Sequence, residues 1–260
     1  MTRKPRLHLP RAKDAPPGYT KNPPLRISVS LACMDSVEAS FAYDLAKMTA
    51  YAGVTLVARD IAELRINMLS SSILSSSRND LAREAMENGS THVLCIDSDM
   101  RFPKESLNRL LKHQKDIVGI NYSTRKVPPD FVAFKHISRE SGDPHVKLET
   151  LPDSTGLEKV EALGFGLILI RTDVFRSMPY PGFETIYDRE RNMWIGEDVD
   201  FCKKATAAGF DIWADHDLSK ECAHIGRMEY LTAHVEKTKD MDRGEILPEE
   251  HDVSPLALEA

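Results

Sequence analysis

A short apolar run that ends in two carboxylates carries the clearest chemical signal in this chain of 260 residues. Residues 93–96 are apolar without polar alternation, which indicates a strand buried on both faces of a mostly parallel sheet. Asp97, Ser98 and Asp99 follow at its carboxyl end, where open α/β sheets bind ligands. Two carboxylates this close together suit a divalent cation that carries a phosphorylated substrate. The segment therefore predicts a metal-dependent enzyme that acts on a nucleotide.

A second cluster of acids follows a glycine at residues 194–202 and opens a predicted helix. Acids in a first turn interact favourably with the helix dipole, by about 0.3–1 kcal/mol. Three acids within four residues, including Glu197 and Asp198, exceed what capping requires. Trp194, just before them, can stack on a sugar or a base, or serve as a half-buried packing aromatic.

His224 lies in a short apolar segment and is followed two residues later by a glycine. Alone, such a histidine is more often a buried structural residue than a metal ligand. The order of the motifs changes that interpretation: a strand-end Asp-x-Asp, a Gly-Glu-Asp about a hundred residues later, then His-x-Gly. This order resembles that of the GT-A fold glycosyltransferases, notably family 2-like enzymes of the small type found in phages and bacteria.

Two further segments carry the resemblance, which extends over residues 27–226. Arg78 and Asn79 look like the Arg-Asn pair that these enzymes place near the sugar nucleotide. Gly164, Phe165 and Gly166 look like the glycine-containing strand behind the acceptor site. Each also has a structural explanation, since Arg78 can be a surface helix residue and the glycines can mark a bulge.

The resemblance implies a role for each residue of the metal and donor sites. Asp99 would coordinate the cation, Asp97 would contact the donor ribose or a metal-bound water, and His224 would supply the third protein contact. Carboxylate and imidazole ligands together suit Mn²⁺, with Mg²⁺ as the alternative. The donor-binding residues would be Arg78, Asn79, Asp97 and Ser98.

The same resemblance implies an inverting transfer of a sugar from a nucleoside-diphosphate sugar, with UDP as the expected nucleotide. A cation would stabilise the charge that builds on the diphosphate, so the chain must supply only a base for the acceptor hydroxyl. Asp198 matches that base, and Glu197 could orient acceptor or donor. The expected acceptor site comprises Trp194, Gly164, Phe165 and Gly166, and the acceptor is a glycan, a protein or a modified DNA base. A nucleotide-binding acid after the second strand is not obvious, and Asp60 is only the nearest candidate.

Strands and helices alternate along the first half of the chain, which predicts an α/β fold. The expected strands there are 25–32, 54–58, the run ending at Asp97 and 117–121, and the expected helices are 35–51, 79–87 and 103–113. Strand-like segments at 131–137, 159–163 and 167–171 lack long intervening helices, and 196–209 is the last core helix. We therefore expect a GT-A-like, doubly wound mixed sheet with a parallel, nucleotide-binding first half and antiparallel strands in the acceptor half.

Composition divides the chain into three parts. Residues 1–26 form a basic, proline-rich arm with seven Lys or Arg and one Asp, which we expect to be flexible and able to contact nucleic acid. Residues 27–226 form the GT-A-like domain, and 227–260 a peripheral helix and acidic tail. No apolar run approaches the roughly 18 residues of a membrane span, and no apolar signal segment follows the N-terminus. With four scattered cysteines, this favours a cytoplasmic protein without a membrane span.

Two other classes of protein remain open from the sequence. A metal-dependent nucleotidyltransferase also presents strand-end acids to a nucleotide, but it releases pyrophosphate. A binding module with a glycosyltransferase-like fold would bind without turnover, although the presence of Asp97, Asp99, Asp198 and His224 together argues against it. A haloacid-type phosphatase is disfavoured, because strands precede this Asp-x-Asp and Met100 follows it where a threonine is expected.

Overall fold

The computed structural model describes residues 25–126, 128–137 and 145–226. Most of the predicted basic arm and the predicted C-terminal helix and tail lie outside these residues. Leu25 and Arg26, which end the predicted arm, already belong to the first strand.

Thirteen strands and six α-helices lie in the described residues. The strands are β1 (Leu25–Cys33), β2 (Ala62–Ser70), β3 (His92–Asp97), β4 (Met100–Arg101), β5 (Ile117–Gly119), β6 (Phe134–His136), β7 (Val146–Lys147), β8 (Leu157–Val160), β9 (Leu167–Arg171), β10 (Ile186–Asp188), β11 (Met193–Ile195), β12 (Ile212–Asp215) and β13 (Ala223–His224). The helices are α1 (Ala39–Ala52), α2 (Leu74–Glu87), α3 (Ser106–Lys112), α4 (Thr172–Ser177), α5 (Glu197–Ala207) and α6 (His216–Ser219).

Seven strands form the central sheet in the order β2-β1-β3-β9-β5-β12-β8. β1 is parallel to both β2 and β3, and β12 is parallel to β5. β9 is antiparallel to β3 and β5, and β8 is antiparallel to β12. Five strands therefore run one way and two the other, which confirms the predicted α/β fold with a mixed sheet and antiparallel strands in the second half.

Both faces of β3 are buried, as its apolar run without alternation predicts. Leu94 and Ile96 pack into the core that contains α1 and α3, whereas Val93 and Cys95 pack into the core on the opposite face. This two-sided burial places the end of β3, and hence Asp97, at a defined point on the edge of the sheet.

Four phenylalanines pack α5, the helix that begins with Glu197 and Asp198, against the core that contains Val93 and Cys95. Phe183 and Phe201 stack with ring centroids 4.8 Å apart, and Phe165 meets both rings edge-on at 5.1 Å. Phe175 packs beside them at 5.5 Å from Phe201. Because Phe201 lies on α5 and Phe165 precedes β9, the cluster fixes α5 against the sheet.

The prediction of the second strand is wrong. The expected strand at residues 54–58 does not form: Gly53–Val57 is a π-helical segment that continues α1, and the second strand is Ala62–Ser70. Asp60 consequently precedes β2 and lies at the amino-terminal edge of the sheet, opposite the edge where Asp97 lies. Asp60 is therefore not a nucleotide-binding acid of this site.

The helix expected at residues 79–87 begins five residues earlier than predicted. Helix α2 begins at Leu74, so Arg78 and Asn79 lie within its second turn and both are buried. Arg78 is therefore not a surface helix residue. Within the described residues, no helix combines the length and the apolar character that crossing a membrane requires.

The fold predicts different responses to alanine at two glycines. A Cβ at Gly119 would lie 2.8 Å from the Leu167 carbonyl oxygen, and 2.8 Å from Cδ2 of Leu163, so main chain would have to shift. We expect Gly119→Ala to lower the free energy of unfolding by about 1–3 kcal/mol. Gly53→Ala is the matched control, because its Cβ meets no atom within 4 Å and its φ is −55°; we expect no loss. Urea unfolding measures both variants. Equal urea midpoints for Gly119→Ala and wild type would show that a Cβ at residue 119 fits without displacing the main chain.

Candidate active site

The predicted site residues gather at the carboxyl edge of the parallel strands. Asp97 ends β3, and the antiparallel β9 begins at Leu167 beside it. The Asp97 N–H donates to the Gly166 carbonyl at 3.1 Å. The segment before β9 is thereby held against the strand end that the sequence marked as the site.

A buried arginine joins the two acidic motifs. Arg78 is 6% exposed; its Nη2 lies 2.8 Å from Oδ1 of Asp97, and its Nη1 lies 2.6 Å from Oε1 of Glu197. The guanidinium carbon also lies 5.0 Å from the centre of the Phe165 ring. Burial opposes the charge, but Asp97 and Glu197 outweigh it and raise the pKa of Arg78. The Arg78 guanidinium therefore neutralises both Asp97 and Glu197, which are a hundred residues apart in the sequence.

Asp99 and His224 are brought together by a short two-stranded sheet. β13 pairs antiparallel with β4, so that His224 lies opposite Met100. The Ile225 N–H donates to the Asp99 carbonyl at 2.8 Å. Nε2 of His224 consequently lies 3.4 Å from Oδ2 of Asp99.

A second contact determines which imidazole nitrogen faces Asp99. Nδ1 of His224 lies 3.0 Å from the carbonyl oxygen of Ser123. A carbonyl can only accept, so Nδ1 carries the hydrogen and Nε2 faces the carboxylate. The ring also meets Tyr122 edge-on, with centroids 5.2 Å apart. An imidazole oriented through its other nitrogen is typical of a metal ligand.

Arg125 completes the surroundings of Asp99. Its Nη1 lies 2.6 Å from Oδ2 of Asp99, and its side chain is about half exposed. Burial raises the pKa of Asp99, but His224 and Arg125 together outweigh burial and lower it below the usual value. Asp99 is therefore held as a carboxylate.

The residues present fit a divalent cation with two protein ligands rather than three. Among the described residues, no group of three His, Cys, Asp or Glu side chains is placed to hold a metal. Asp99 and His224 offer an oxygen and a nitrogen, whereas Asp97 turns Oδ1 to Arg78. Of the three expected ligands Asp97, Asp99 and His224, the structure brings Asp99 and His224 together, whereas Asp97 is paired with Arg78. Mg²⁺ commonly takes one or two carboxylates and completes its shell with water and substrate phosphates.

Asp198 lies in the first turn of α5, half-buried and beside Glu197. Burial raises its pKa first and the charge of Glu197 adds to this, while the Val199 N–H at 2.7 Å and Arg78 only partly offset them. Among the described residues Asp198 forms no salt bridge. A carboxylate with a raised pKa is a stronger base, and such shifts concentrate in active sites.

The structure leaves no hydrogen-bonding group of the Asn79 amide for the donor contact that the resemblance implies. Its Oδ1 accepts from the N–H groups of Gly182 and Phe183, at 2.9 and 3.1 Å. Its Nδ2 donates to the carbonyls of Ser75 and Phe183, at 2.9 and 2.8 Å. These four bonds use the whole capacity of the amide. Asn79 therefore positions the segment that precedes the acidic helix.

The segment of Gly164, Phe165 and Gly166 is not an acceptor surface, which corrects another expectation. Phe165 is 1% exposed within the phenylalanine cluster. A Cβ on Gly164 would lie 2.6 Å from Oη of Tyr122, and one on Gly166 would lie 2.7 Å from Cε1 of that ring. The Gly166 N–H donates to Oη of Tyr122 at 3.2 Å. The glycines therefore make room for Tyr122, which supports His224.

The remaining predicted residues lie near the same edge. Ser98 is half-buried in the turn after β3, and its carbonyl accepts from the Glu38 N–H at 3.3 Å. Trp194 is exposed on β11.

The sequence analysis gives no individual role to Tyr122 or Ser123, whereas the basic residues of segment 122–139, Arg125 among them, predict a loop over the diphosphate or a lip of the acceptor site. All three follow β5, which is parallel to β3 and therefore ends at the same edge of the sheet. The strand itself was predicted, so the rule that ligands bind beyond the carboxyl ends of strands would have found them.

No protein-family model and no curated protein matches this chain. Among solved structures, 109 chains match. One, titled "Crystal Structure of A197 from STIV", is 14% identical, with a TM-score of 0.48 over 79% of this chain and 99% of that chain. At that TM-score the likeness decides neither fold nor function.

The raised pKa of Asp198 predicts a pH-dependent gain in stability on its removal. A carboxyl whose pKa is higher in the folded state destabilises that state when ionised, and costs nothing once protonated in both states. Asp198→Asn keeps an acceptor for the Val199 N–H. We expect a higher urea midpoint than wild type at pH 7, with the gain shrinking as the pH falls towards about 4.

Asp153→Asn, in an exposed loop, removes the same charge and is the control. We expect its midpoint to follow the wild type at each pH. A lower midpoint for Asp198→Asn at pH 7 would show that Asp198 is not an uncompensated carboxylate.

Proposed function

We propose that this protein is a metal-dependent, inverting glycosyltransferase of GT-A type that uses a nucleoside-diphosphate sugar, with UDP as the expected nucleotide. The observation that carries the proposal is the buried Arg78, which unites Asp97 at the strand end with Glu197 beside Asp198. A donor-side acid and an acceptor-side base then belong to one site at the edge where α/β sheets bind ligands.

The Asp99–His224 pair supports the donor half of the proposal. These residues would hold Mn²⁺ or Mg²⁺, which when bound supplies positive charge to the leaving diphosphate. The Ser123 carbonyl fixes the imidazole so that Nε2 faces the site. Arg125 is exposed and can leave Asp99 to meet phosphate oxygens.

Asp198 rather than Glu197 is the proposed base. Glu197 is held by Arg78 at 2.6 Å, so its charge is compensated and its role is to position the helix start. The charge of Asp198 is only partly offset, by the Val199 N–H and Arg78, and its raised pKa suits it to accept the proton of the acceptor hydroxyl. One base is enough for an inverting displacement, since the diphosphate leaves without an acid.

The cost of ionising Asp198 favours an enzyme over an inert binding module. A half-buried carboxylate beside another acid weakens the fold at neutral pH. Binding alone has no need of such a group, whereas proton transfer does. The nucleotidyltransferase alternative shares the metal and the nucleotide, so the reaction product must separate it from sugar transfer.

A screen of nucleotide sugars tests the reaction. The full chain is incubated with Mn²⁺ and UDP-, GDP-, TDP- and ADP-linked sugars, and thermal stabilisation and products are measured. Saturating the true donor at a hundredfold excess over Kd stabilises by about 2.7 kcal/mol. We expect release of a nucleoside diphosphate. Release of pyrophosphate would establish nucleotidyl transfer instead, and binding without turnover would establish the inert module.

Substitution of the two proposed ligands tests the cation site. We expect Asp99→Asn and His224→Gln each to raise the Mn²⁺ concentration for half-maximal donor stabilisation by roughly 10–100-fold, at least the usual cost of losing a residue that supports a metal ligand. His136→Gln, an exposed histidine on β6, should match wild type. An unchanged Mn²⁺ dependence in His224→Gln would remove that residue from the site.

Asp198→Asn tests the base. We expect transfer to fall by about 10²–10⁴-fold, with donor affinity retained, because the amide cannot accept the proton. Asp153→Asn should transfer at the wild-type rate. Transfer by Asp198→Asn at the wild-type rate would assign the base elsewhere, and a product of retained anomeric configuration by NMR would rule out inversion.

A further inference from the structure

Lys147, to which the sequence analysis gives no role, has an ammonium group with unused hydrogen-bonding capacity. It lies on β7, opposite Phe134 of β6. Its Nζ is 3.8 Å from the centre of the Phe134 ring and 3.9 Å from Oδ2 of Asp130, a distance too long for a hydrogen bond. An ammonium can donate three hydrogen bonds, and within the described residues this one donates none. The side chain is 29% exposed, so a ligand can reach it.

The main chain beside Lys147 is fixed to the edge of the sheet where the site lies. The Leu148 N–H donates to the Ala133 carbonyl at 3.0 Å, and the Leu148 carbonyl accepts from Nδ2 of Asn121 at 2.7 Å. Asn121 follows β5 by two residues, and β5 is parallel to β3. The aromatic ring beneath the ammonium restricts the side chain further. Lys147 is therefore held in place beyond the carboxyl ends of the parallel strands.

The partner strand β6 is bonded to the segment that meets α5. The Phe134 N–H donates to the Ala162 carbonyl at 2.9 Å. The next carbonyl, that of Leu163, accepts from the thiol of Cys202 at 3.8 Å. Cys202 comes one helical turn after Asp198, so both side chains lie on the same face of α5. The sheet of β6 and β7 consequently lies beside the helix face that carries Asp198.

The charge of Lys147 is only partly balanced by the protein. Burial lowers its pKa below the usual value, and the charges of Asp130 and Asp198 offset this only in part. An anion that accepts hydrogen bonds from Nζ would compensate the partly buried charge. Because the charge of Asp198 acts on Lys147, that anion would lie beside the proposed base.

The neighbouring cations suit a single anionic group better than a nucleic-acid backbone. Nucleic acids are bound through several free Lys or Arg side chains in a row. Near Lys147, however, Lys135 and Arg125 each have a carboxylate oxygen within 2.7 Å. Lys126 is exposed and adds one further positive charge that acts on Lys147. This arrangement matches one carboxylate or one phosphate ester.

We propose that Lys147 binds a negatively charged group of the acceptor, and that the acceptor is a glycan with a carboxylate or a phosphate ester near the accepting hydroxyl. A charge-assisted hydrogen bond from Nζ would orient the sugar so that its hydroxyl faces Asp198. The role of this glycan as acceptor rests on the proposed function, whereas its binding at Lys147 does not. Lys147 thereby determines which acceptor is taken, and Asp198 remains the base.

Binding is measured without donor and without metal, so that the result is independent of turnover. The full chain is applied to an array of glycans that end in glucuronate, sialate or a phosphate ester. The array also holds the same glycans after reduction of the carboxyl group or removal of the phosphate, and a single-stranded DNA oligonucleotide. We expect an acidic glycan to bind and its neutral counterpart to bind about tenfold more weakly or less, the usual effect of losing a hydrogen bond to a charged group. The carboxylate and phosphate arms identify which anion the site takes.

Substitutions of Lys147 test whether its charge binds the anion. Lys147→Met keeps an apolar stem over Phe134 and should weaken binding of the acidic glycan by about tenfold or more. Lys147→Arg should keep most of the binding, because the positive charge remains. Lys112→Met, which removes an exposed lysine from α3, is the matched control and should bind as wild type does.

Undiminished binding by Lys147→Met, equal binding of the acidic and neutral glycans, binding of no acidic glycan, or stronger binding of DNA would each overturn the anion site. The comparison of glycans uses the wild-type chain, so it decides the question even if a variant does not fold.

The outcomes distinguish this inference from the proposed function. Binding of an acidic glycan through Lys147 without turnover of any nucleotide sugar would keep the anion site and reject the transferase. Equal rates of sugar transfer to neutral acceptors by wild type and Lys147→Met, with no binding of acidic glycans, would keep the transferase and reject the anion site.

Discussion

The arrangement of this site depends on the positive charge of the buried Arg78 guanidinium. Asp97, Glu197 and Asp198 lie close enough for their charges to interact, and three carboxylates in partial burial cannot all ionise without a counter-charge. The guanidinium neutralises two of them and ties β3 to α5. Breaking a buried ion pair by removing one partner costs about 3–5 kcal/mol. The interaction that assembles the site is therefore also one that holds the fold.

Apolar packing decides where that cation lies. The guanidinium is within cation–π distance of Phe165, which packs edge-on against both Phe183 and Phe201. The planar fork can then point separate N–H groups at Asp97 and Glu197, a geometry that a lysine ammonium does not reproduce. Because only one of the two adjacent acids at the start of α5 meets the fork, Glu197 and Asp198 differ in charge environment although they are sequence neighbours.

The local sequence pattern predicted the central strands, whose residues are buried on both faces. It failed for elements whose residues lie in mixed surroundings. The run ending at Asp97 and Leu167–Arg171 was recognised because unbroken apolar runs suit a central strand. β2 was missed because Glu63, Leu64 and Arg65 favour helix and the strand lies at the sheet edge, where burial does not impose a pattern. The structural roles of Asn79 and Phe165 depend on contacts with residues distant in the sequence, which a short stretch of sequence does not include. The order of the motifs predicted that Asp99 and His224 lie together. The residue type alone indicates a metal ligand, whereas packing depends on which other residues are nearby in the fold.

The charge of Asp99 is balanced by side chains of the protein itself. Arg125 balances the carboxylate, so that no buried charge is left unpaired. If the pair of Asp99 and His224 receives a divalent cation, that balance is supplied from elsewhere and Arg125 becomes free. Under the proposed function, its guanidinium would then face the diphosphate that is bound together with the cation. The net charge of the site would therefore change less than the number of charged groups brought in.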